Sequence, residues 1–161
     1  MIKPSEMRTD IRLEVNAAQQ RAYLYTLGRL QKTYTISTSS IGIGCTENSN
    51  CTPHGSFTIC EKIGTDLPLG AVLDSRQPTG EITREWQNQS SQDLVLSRIL
   101  WLDGIEPHNR NTKERFIYLH GTNQEHLLGS KASHGCVRFA NRDIAELYDI
   151  LDVGARVQIS E

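Results

Sequence analysis

The sequence predicts a mainly β domain with one principal C-terminal helix, and three observations carry that prediction. Short segments such as Ile11-Arg-Leu-Glu-Val15 alternate apolar and polar residues, as a strand with one buried face requires. Clusters of Gly, Asn, Ser and Pro separate these segments and supply turn chemistry. A single segment has helical spacing: Ile144, Leu147, Tyr148 and Leu151 fall at i, i+3, i+4 and i+7 and form one apolar stripe. At 161 residues, with no internal repeat, low-complexity tract or linker, the chain reads as one domain, 1–161, able to bury its own core.

Taken in order, Ile11 to Val15 is the first strand, Asn16 to Gln20 a polar turn, and Ala22 to Leu27 a second strand ended by Gly28, together a hairpin. Lys32 to Ser37 has the Tyr, Thr and Ile content of a third strand. Thr38 to Gly55 is small, polar and rich in glycine and asparagine, a loop of functional length. Phe57 to Cys60, Ala71 to Leu73, Leu94 to Leu102 and Phe116 to Leu119 are further strands. Asn141 reads as the N-cap of the helix, Asp143 and Glu146 place negative charge in its early turns, and Gly154 ends it. Val157 to Ile159 closes the chain as a last strand.

The net charge of −2, mixed in sign along the chain, gives no electrostatic basis for nucleic acid or an anionic membrane as partner. No apolar run approaches the roughly 18 residues of a membrane span. The polar start MIKPSEMRTD lacks the apolar stretch of about 7–15 residues of a secretory leader, so a cytoplasmic protein is expected. In that compartment Cys45, Cys51, Cys60 and Cys136 are expected as reduced thiols. Cys45, Cys51 and His54 make a partial zinc set, but the Cys45–Cys51 gap is too wide for the usual pair and no second pair follows, so no metal is expected. The oligomeric state stays open.

The chemistry is concentrated in His120-Gly-Thr and Ser133-His-Gly-Cys136. Cys136 is a possible nucleophile, and an adjacent imidazole can shift a thiol toward its reactive thiolate. His120 follows an apolar strand and would be held at its end as the base. Gly121 and Gly135 remove side chains where a substrate backbone approaches. The turn before the helix can converge backbone N–H groups on an oxyanion, and Arg138 offers a fork of donors to a substrate carboxylate. The same His120, His134 and Cys136 would also serve as three ligands of an open zinc site, or as a structural cluster. Arg98, inside an apolar run beside Trp101, needs a partner and is a candidate anion site. His54 reads as turn chemistry, and His108 and His126 as loop residues.

His120-Gly-Thr followed by Ser133-His-Gly-Cys-Val-Arg-Phe-Ala-Asn141 closely resembles the signature of the L,D-transpeptidase catalytic domain (YkuD type). Thr52-Pro-His-Gly-Ser-Phe57 and Pro78-Thr-Gly-Glu81 resemble further family segments, so the likeness spans nearly the whole chain. The resemblance implies a β-sandwich-like fold and attack on peptidoglycan stem peptides ahead of a terminal D-alanine. It implies Cys136 as nucleophile and His120 as general base. His134, with the backbone of Gly135 and Cys136, lines the oxyanion site, Arg138 binds substrate carboxylate, and Ser133 and Asn141 support them. No metal or organic cofactor is implied. Water resolving the thioester makes an L,D-carboxypeptidase of muropeptide recycling; an amine makes an L,D-transpeptidase. The cytoplasmic reading of the N-terminus favours the carboxypeptidase, with a tetrapeptide or muropeptide as its substrate. A non-catalytic muropeptide-binding module is the alternative of another class.

Overall fold

The computed structural model describes residues 3–4, 10–84 and 92–161; the rest of the N-terminal stretch and residues 85–91 lie outside the described residues. The hairpin expected at the start is present: β1 (Ile11–Asn16) pairs antiparallel with β2 (Arg21–Thr26), and β2 with β3 (Arg29–Ser37). The β2–β3 turn places Leu27 and Gly28 at φ 53° and 74°, the left-handed pair of a tight hairpin. β4 (Gly55–Ile63), β5 (Ala71–Asp74), β7 (Val95–Gly104), β8 (Tyr118–Thr122) and β10 (Arg156–Ser160) follow the remaining expected strands to within a few residues.

Two strands escape the pattern. β6 (Gln77–Ile82) is exposed along its whole length and carries Pro78 and Gly80. As an edge strand it needs neither a buried face nor a full set of N–H donors, so it leaves no periodic trace. β9 (Val137–Phe139) is three buried residues just after Ser133-His-Gly-Cys136, too short for alternation to show.

The strands join in the order β4-β10-β1-β2-β3-β9-β8-β7-β5-β6, and β4 pairs with β7 as well as β10. The two expected layers are thus opposite walls of one sheet closed on itself, with the β5–β6 hairpin extending from β7. Inside lie Leu13, Val15, Tyr34, Ile36, Phe57, Leu100, Leu102, Leu119, Val137 and Phe139, almost wholly buried; each apolar side chain contributes about 1.5–3 kcal/mol on burial. The helix α1 (Asn141–Ile150) adds Ile144, Leu147 and Tyr148, with Leu151 just past its end, to this core, as its stripe predicts. No helix among the described residues is long and apolar enough to cross a membrane.

Period-two alternation positions the site. β8 turns Leu119 into the main core, whereas Tyr118 joins a second cluster with Ile99, Leu73, Trp101 and Cys136. β9 runs parallel to β8 with Leu119 opposite Val137 and His120 opposite Arg138. Tyr118, His120, Cys136 and Arg138 therefore share the face opposite the core.

Candidate active site

Cys136 precedes β9 and is partly exposed. Its Sγ accepts the Tyr118 backbone N–H at 3.3 Å and donates to the Phe116 carbonyl at 3.4 Å. Phe116 reaches this position with φ 56°, a left-handed conformation costly for a bulky side chain, which places it just outside β8 rather than at its start. Burial pushes the Cys136 thiol up to about 11, and the Tyr118 N–H and the Arg138 and Arg115 charges offset this only in part. Burial thus works against the shift toward thiolate that an adjacent imidazole can give, and favours the protonated thiol. Alkylation of Cys136 by iodoacetamide is expected to keep accelerating as pH rises toward about 11, because the thiolate fraction grows up to the thiol pKa; a plateau near neutrality would contradict it.

His120 lies mid-strand in β8, between β7 and β9, and is only 2% exposed. A carbonyl can only accept, so the 2.6 Å contact with the Gly121 oxygen places the proton on Nδ1 and leaves Nε2 as the basic nitrogen. Burial lowers the His120 pKa and keeps the ring neutral, the Gly121 carbonyl and Asp93 opposing this in part. A neutral imidazole with a free lone pair on the thiol's face of the sheet suits a general base.

Gly121 has a different reason from the one expected. A Cβ there would meet Asn141 Oδ1 at 2.5 Å and the Leu96 carbonyl at 2.6 Å, so the glycine admits Asn141 and β7, not substrate. Asn141 is the first residue of α1 rather than its cap, which is Ala140. Its buried amide donates to the Thr122 carbonyl and Glu125 Oε2, each at 2.8 Å, and accepts from Ser97 Oγ at 2.6 Å. It bolts α1 to β8 and to the β7 bulge. Gly135 sits at φ +131°, a conformation that itself calls for glycine. Its carbonyl accepts from Thr52 Oγ1 at 2.9 Å, and its N–H makes a long 3.3 Å contact to Ser133 Oγ. Ser133 Oγ in turn donates to the Cys136 carbonyl at 2.6 Å, closing the turn that presents the thiol.

Arg138 departs furthest from the expected open clamp. Its side chain is 1% exposed, Nη1 donates to Gln124 Oε1 at 2.9 Å, and Nη2 lies 2.9 Å from Asp93 Oδ1 in an ion pair whose angle is poor for a hydrogen bond. The other oxygen of Asp93 accepts from His134 Nδ1 at 2.8 Å. Burial opposes ionisation of Asp93, but the His134 hydrogen bond and the Arg138 charge outweigh it and hold the carboxyl below its usual value. Asp93 thus couples the buried cation to the exposed His134 ring. The sequence offered no signal for it beyond one acid ahead of a strand. Asp93→Asn is expected to cost about 1–3 kcal/mol, since it leaves a buried guanidinium without a counter-charge, as read from urea denaturation.

Arg98, the candidate anion site, has partners within the chain: Nη1 donates to the carbonyls of Leu67 and Ser97, both at 2.7 Å, and the guanidinium lies over the Tyr148 ring. A cation that sequence reasoning missed packs against the aromatic residues of this face. Arg76, on the β5–β6 turn, donates to Tyr118 Oη at 3.0 Å and lies over Trp101 and Phe116 at 5.2 and 4.8 Å from their ring centroids. Nothing near Arg76 in the chain marks this role, because its partners come from β7, β8 and the segment between them.

Residues 10–159 match the family model described as the L,D-transpeptidase catalytic domain (YkuD). The chain is 31% identical to the "Probable L,D-transpeptidase ErfK/SrfK" of Salmonella typhimurium over 161 residues, 99% of this chain and 46% of that protein. It therefore spans about half the length of that curated relative. In fold it is similar to an L,D-transpeptidase from Mycobacterium smegmatis, with TM-score 0.63 and 17% identity over 94% of this chain and 59% of the other. It is also similar to L,D-transpeptidase 3 from Mycobacterium tuberculosis in complex with a faropenem-derived adduct, with TM-score 0.61 and 16% identity over 94% and 60%.

Proposed function

The chain belongs to the L,D-transpeptidase catalytic domain family, and on that premise we propose that it transfers the acyl group of a peptidoglycan stem tetrapeptide through a thioester on Cys136. The observation that carries this reading is the pairing of a thiol with a buried, neutral, Nδ1-protonated histidine on one sheet face. Cys136 attacks the carbonyl before the terminal D-alanine while His120 Nε2 takes the thiol proton. The C–N bond then breaks, the same proton passes to the departing amine, and the thioester remains. The acceptor sets the product: an amine gives a crosslink or an exchanged D-amino acid, and water gives a tripeptide.

Trp101, which meets the Phe116 and Tyr118 rings, packs with Cys136 against one apolar cluster, surroundings that suit a peptide-borne acceptor. The transpeptidase names of the relatives lean the same way. Hydrolysis, the outcome preferred from the polar N-terminus, draws no support from the site itself.

Arg76 is the guanidinium placed to receive a substrate carboxylate, since Arg138 is already buried against Asp93. Arg76→Met is expected to raise KM about tenfold with little change in kcat, the signature of lost uniform binding.

The deciding experiment is mass spectrometry of a tetrapeptide muropeptide incubated with the protein, with and without a D-amino acid acceptor. Exchange of the terminal residue or dimer formation supports the transpeptidase. Loss of one alanine with no exchange assigns the carboxypeptidase. No reaction in either channel sinks the enzymatic reading and leaves the binding module.

A further inference from the structure

The partial set of Cys45, Cys51 and His54, from which the sequence gives no reason to expect a metal, does not come together, since Cys51 lies outside the cluster that forms there. A residue from much later in the chain takes its place. Ligand atoms of Cys45, His54 and His108 all lie within 4.8 Å of one another. Cys45 and His54 come from the long loop between β3 and β4, and His108 from the 3-10 turn Pro107–Asn109 after β7. We propose that these three side chains form a binding site for a divalent metal of the zinc class, built from residues the catalytic face does not use.

Chemistry and geometry agree on this. A thiolate with two imidazoles is a donor set that suits zinc, and three protein ligands leave a fourth position for water. Bonds of about 2.3 Å to sulfur and about 2.0–2.1 Å to nitrogen put tetrahedral ligands about 3.3–3.6 Å apart, so closing from a spacing within 4.8 Å needs a contraction of at most about 1.5 Å. Two of the three residues are exposed, and their side chains can supply that movement. The imidazoles of His54 and His108 already stack at 4.7 Å between centroids.

The surroundings are pre-arranged as a metal site requires. His108 Nε2 lies 3.1 Å from the His54 carbonyl, which can only accept, so Nε2 carries the proton and Nδ1 presents a lone pair. Metal-bound histidines are commonly oriented by such a second bond to a carbonyl. Asn109 also donates to the His54 carbonyl, and Asn111 donates to that of Cys45. Gly55, at φ +106°, makes the approach possible: a Cβ there would stand 2.7 Å from His108 Nε2 and 2.6 Å from Glu106 Oε1. The glycine after His54, which reads as turn chemistry in sequence, is the gap that lets His108 close on the loop.

A bound ion would join this loop to the 107–109 turn. The same loop carries Thr52, whose hydroxyl holds the Gly135 carbonyl beside the nucleophile. The ion would therefore brace the loop that holds Gly135. The proposal is independent of the acyl-transfer reading, because its test measures metal and not turnover.

The test is Co²⁺ and Zn²⁺ titration of the full chain carrying Cys136→Ala, which removes the catalytic thiol as a competing ligand. One Co²⁺ per chain with a sulfur-to-cobalt charge-transfer band, displaced by Zn²⁺ and accompanied by a rise in Tm, is the expected result. Adding Cys45→Ser should abolish the band, and adding His108→Ala should weaken Zn²⁺ binding at least about tenfold. Metal-free melting curves of each variant confirm folding, and the exposed His108 position serves if the Cys45 variant does not fold. Absence of the band in the Cys136→Ala protein overturns the site, as does its persistence in the folded Cys45→Ser variant or unchanged Zn²⁺ affinity in His108→Ala.

Discussion

Cys136→Ala is expected to lower turnover of a tetrapeptide substrate by about 10⁴- to 10⁶-fold, the scale on which removal of a nucleophile acts in a concerted catalytic unit. The expectation rests on placement rather than on the presence of a cysteine. Of the four thiols, Cys136 shares a sheet face with a buried basic histidine and is held between the Tyr118 N–H and the Phe116 carbonyl. Cys60 is bonded to the Trp101 carbonyl, and burial raises its pKa. Alanine removes one acceptor from the Tyr118 N–H, about 1 kcal/mol of stability, so the fold should survive. Intact-protein mass spectrometry with tetrapeptide reads the outcome directly. A covalent adduct on the variant would move the nucleophile elsewhere, with Cys51 in the neighbouring loop the first place to look.

His120→Gln is expected to lower the acylation rate by about 10²- to 10⁴-fold, the usual contribution of a positioned general base. The variant should also change the shape of the pH profile. Wild-type acylation rises as His120 loses its proton, below the ordinary histidine value of 6.5 because burial lowers its pKa, and then levels off. Without the base only spontaneous thiolate can react, so the variant's rate should keep climbing toward about pH 11. Parallel profiles for the two proteins would assign proton transfer to another group.

Stability supplies a second readout on His120. The unfolded chain binds a proton at this residue near 6.5, where the folded chain does not, so folding loses stability as pH falls below that value. The glutamine variant lacks this contribution and should show a shallower acid-side decline.

Local patterning carried most of this domain. Alternation marked β1, β2 and the buried stretch of β7, and the 3.6-residue spacing of Ile144, Leu147, Tyr148 and Leu151 marked the buried face of α1, because one residue of each pattern determines which way the next must point. The His120 and Ser133–Cys136 motifs were equally legible, since the thiol, its turn and the histidine are short strings of residues with specific chemistry. β6 was invisible because an exposed edge strand needs no apolar period, and β9 because three residues are too few to show one.

What remained hidden depended on residues far apart in the chain. The burial of Arg138 could not be read from its neighbours, because Asp93 arrives from ahead of β7 to pair with it. The same separation concealed Arg76, whose aromatic partners lie on β7, β8 and the connection between them, and the Cys45–His54–His108 cluster, which joins segments at the paired ends of β4 and β7. The thiol's raised pKa belongs to this class as well, since desolvation is a property of the assembled surroundings and not of the string Ser-His-Gly-Cys. Residue types and their periods settle which chemistry the chain holds and which way its strands face. Register, closure of the sheet and burial settle which of those groups meet, because they are set by contacts that exist only after distant segments have packed.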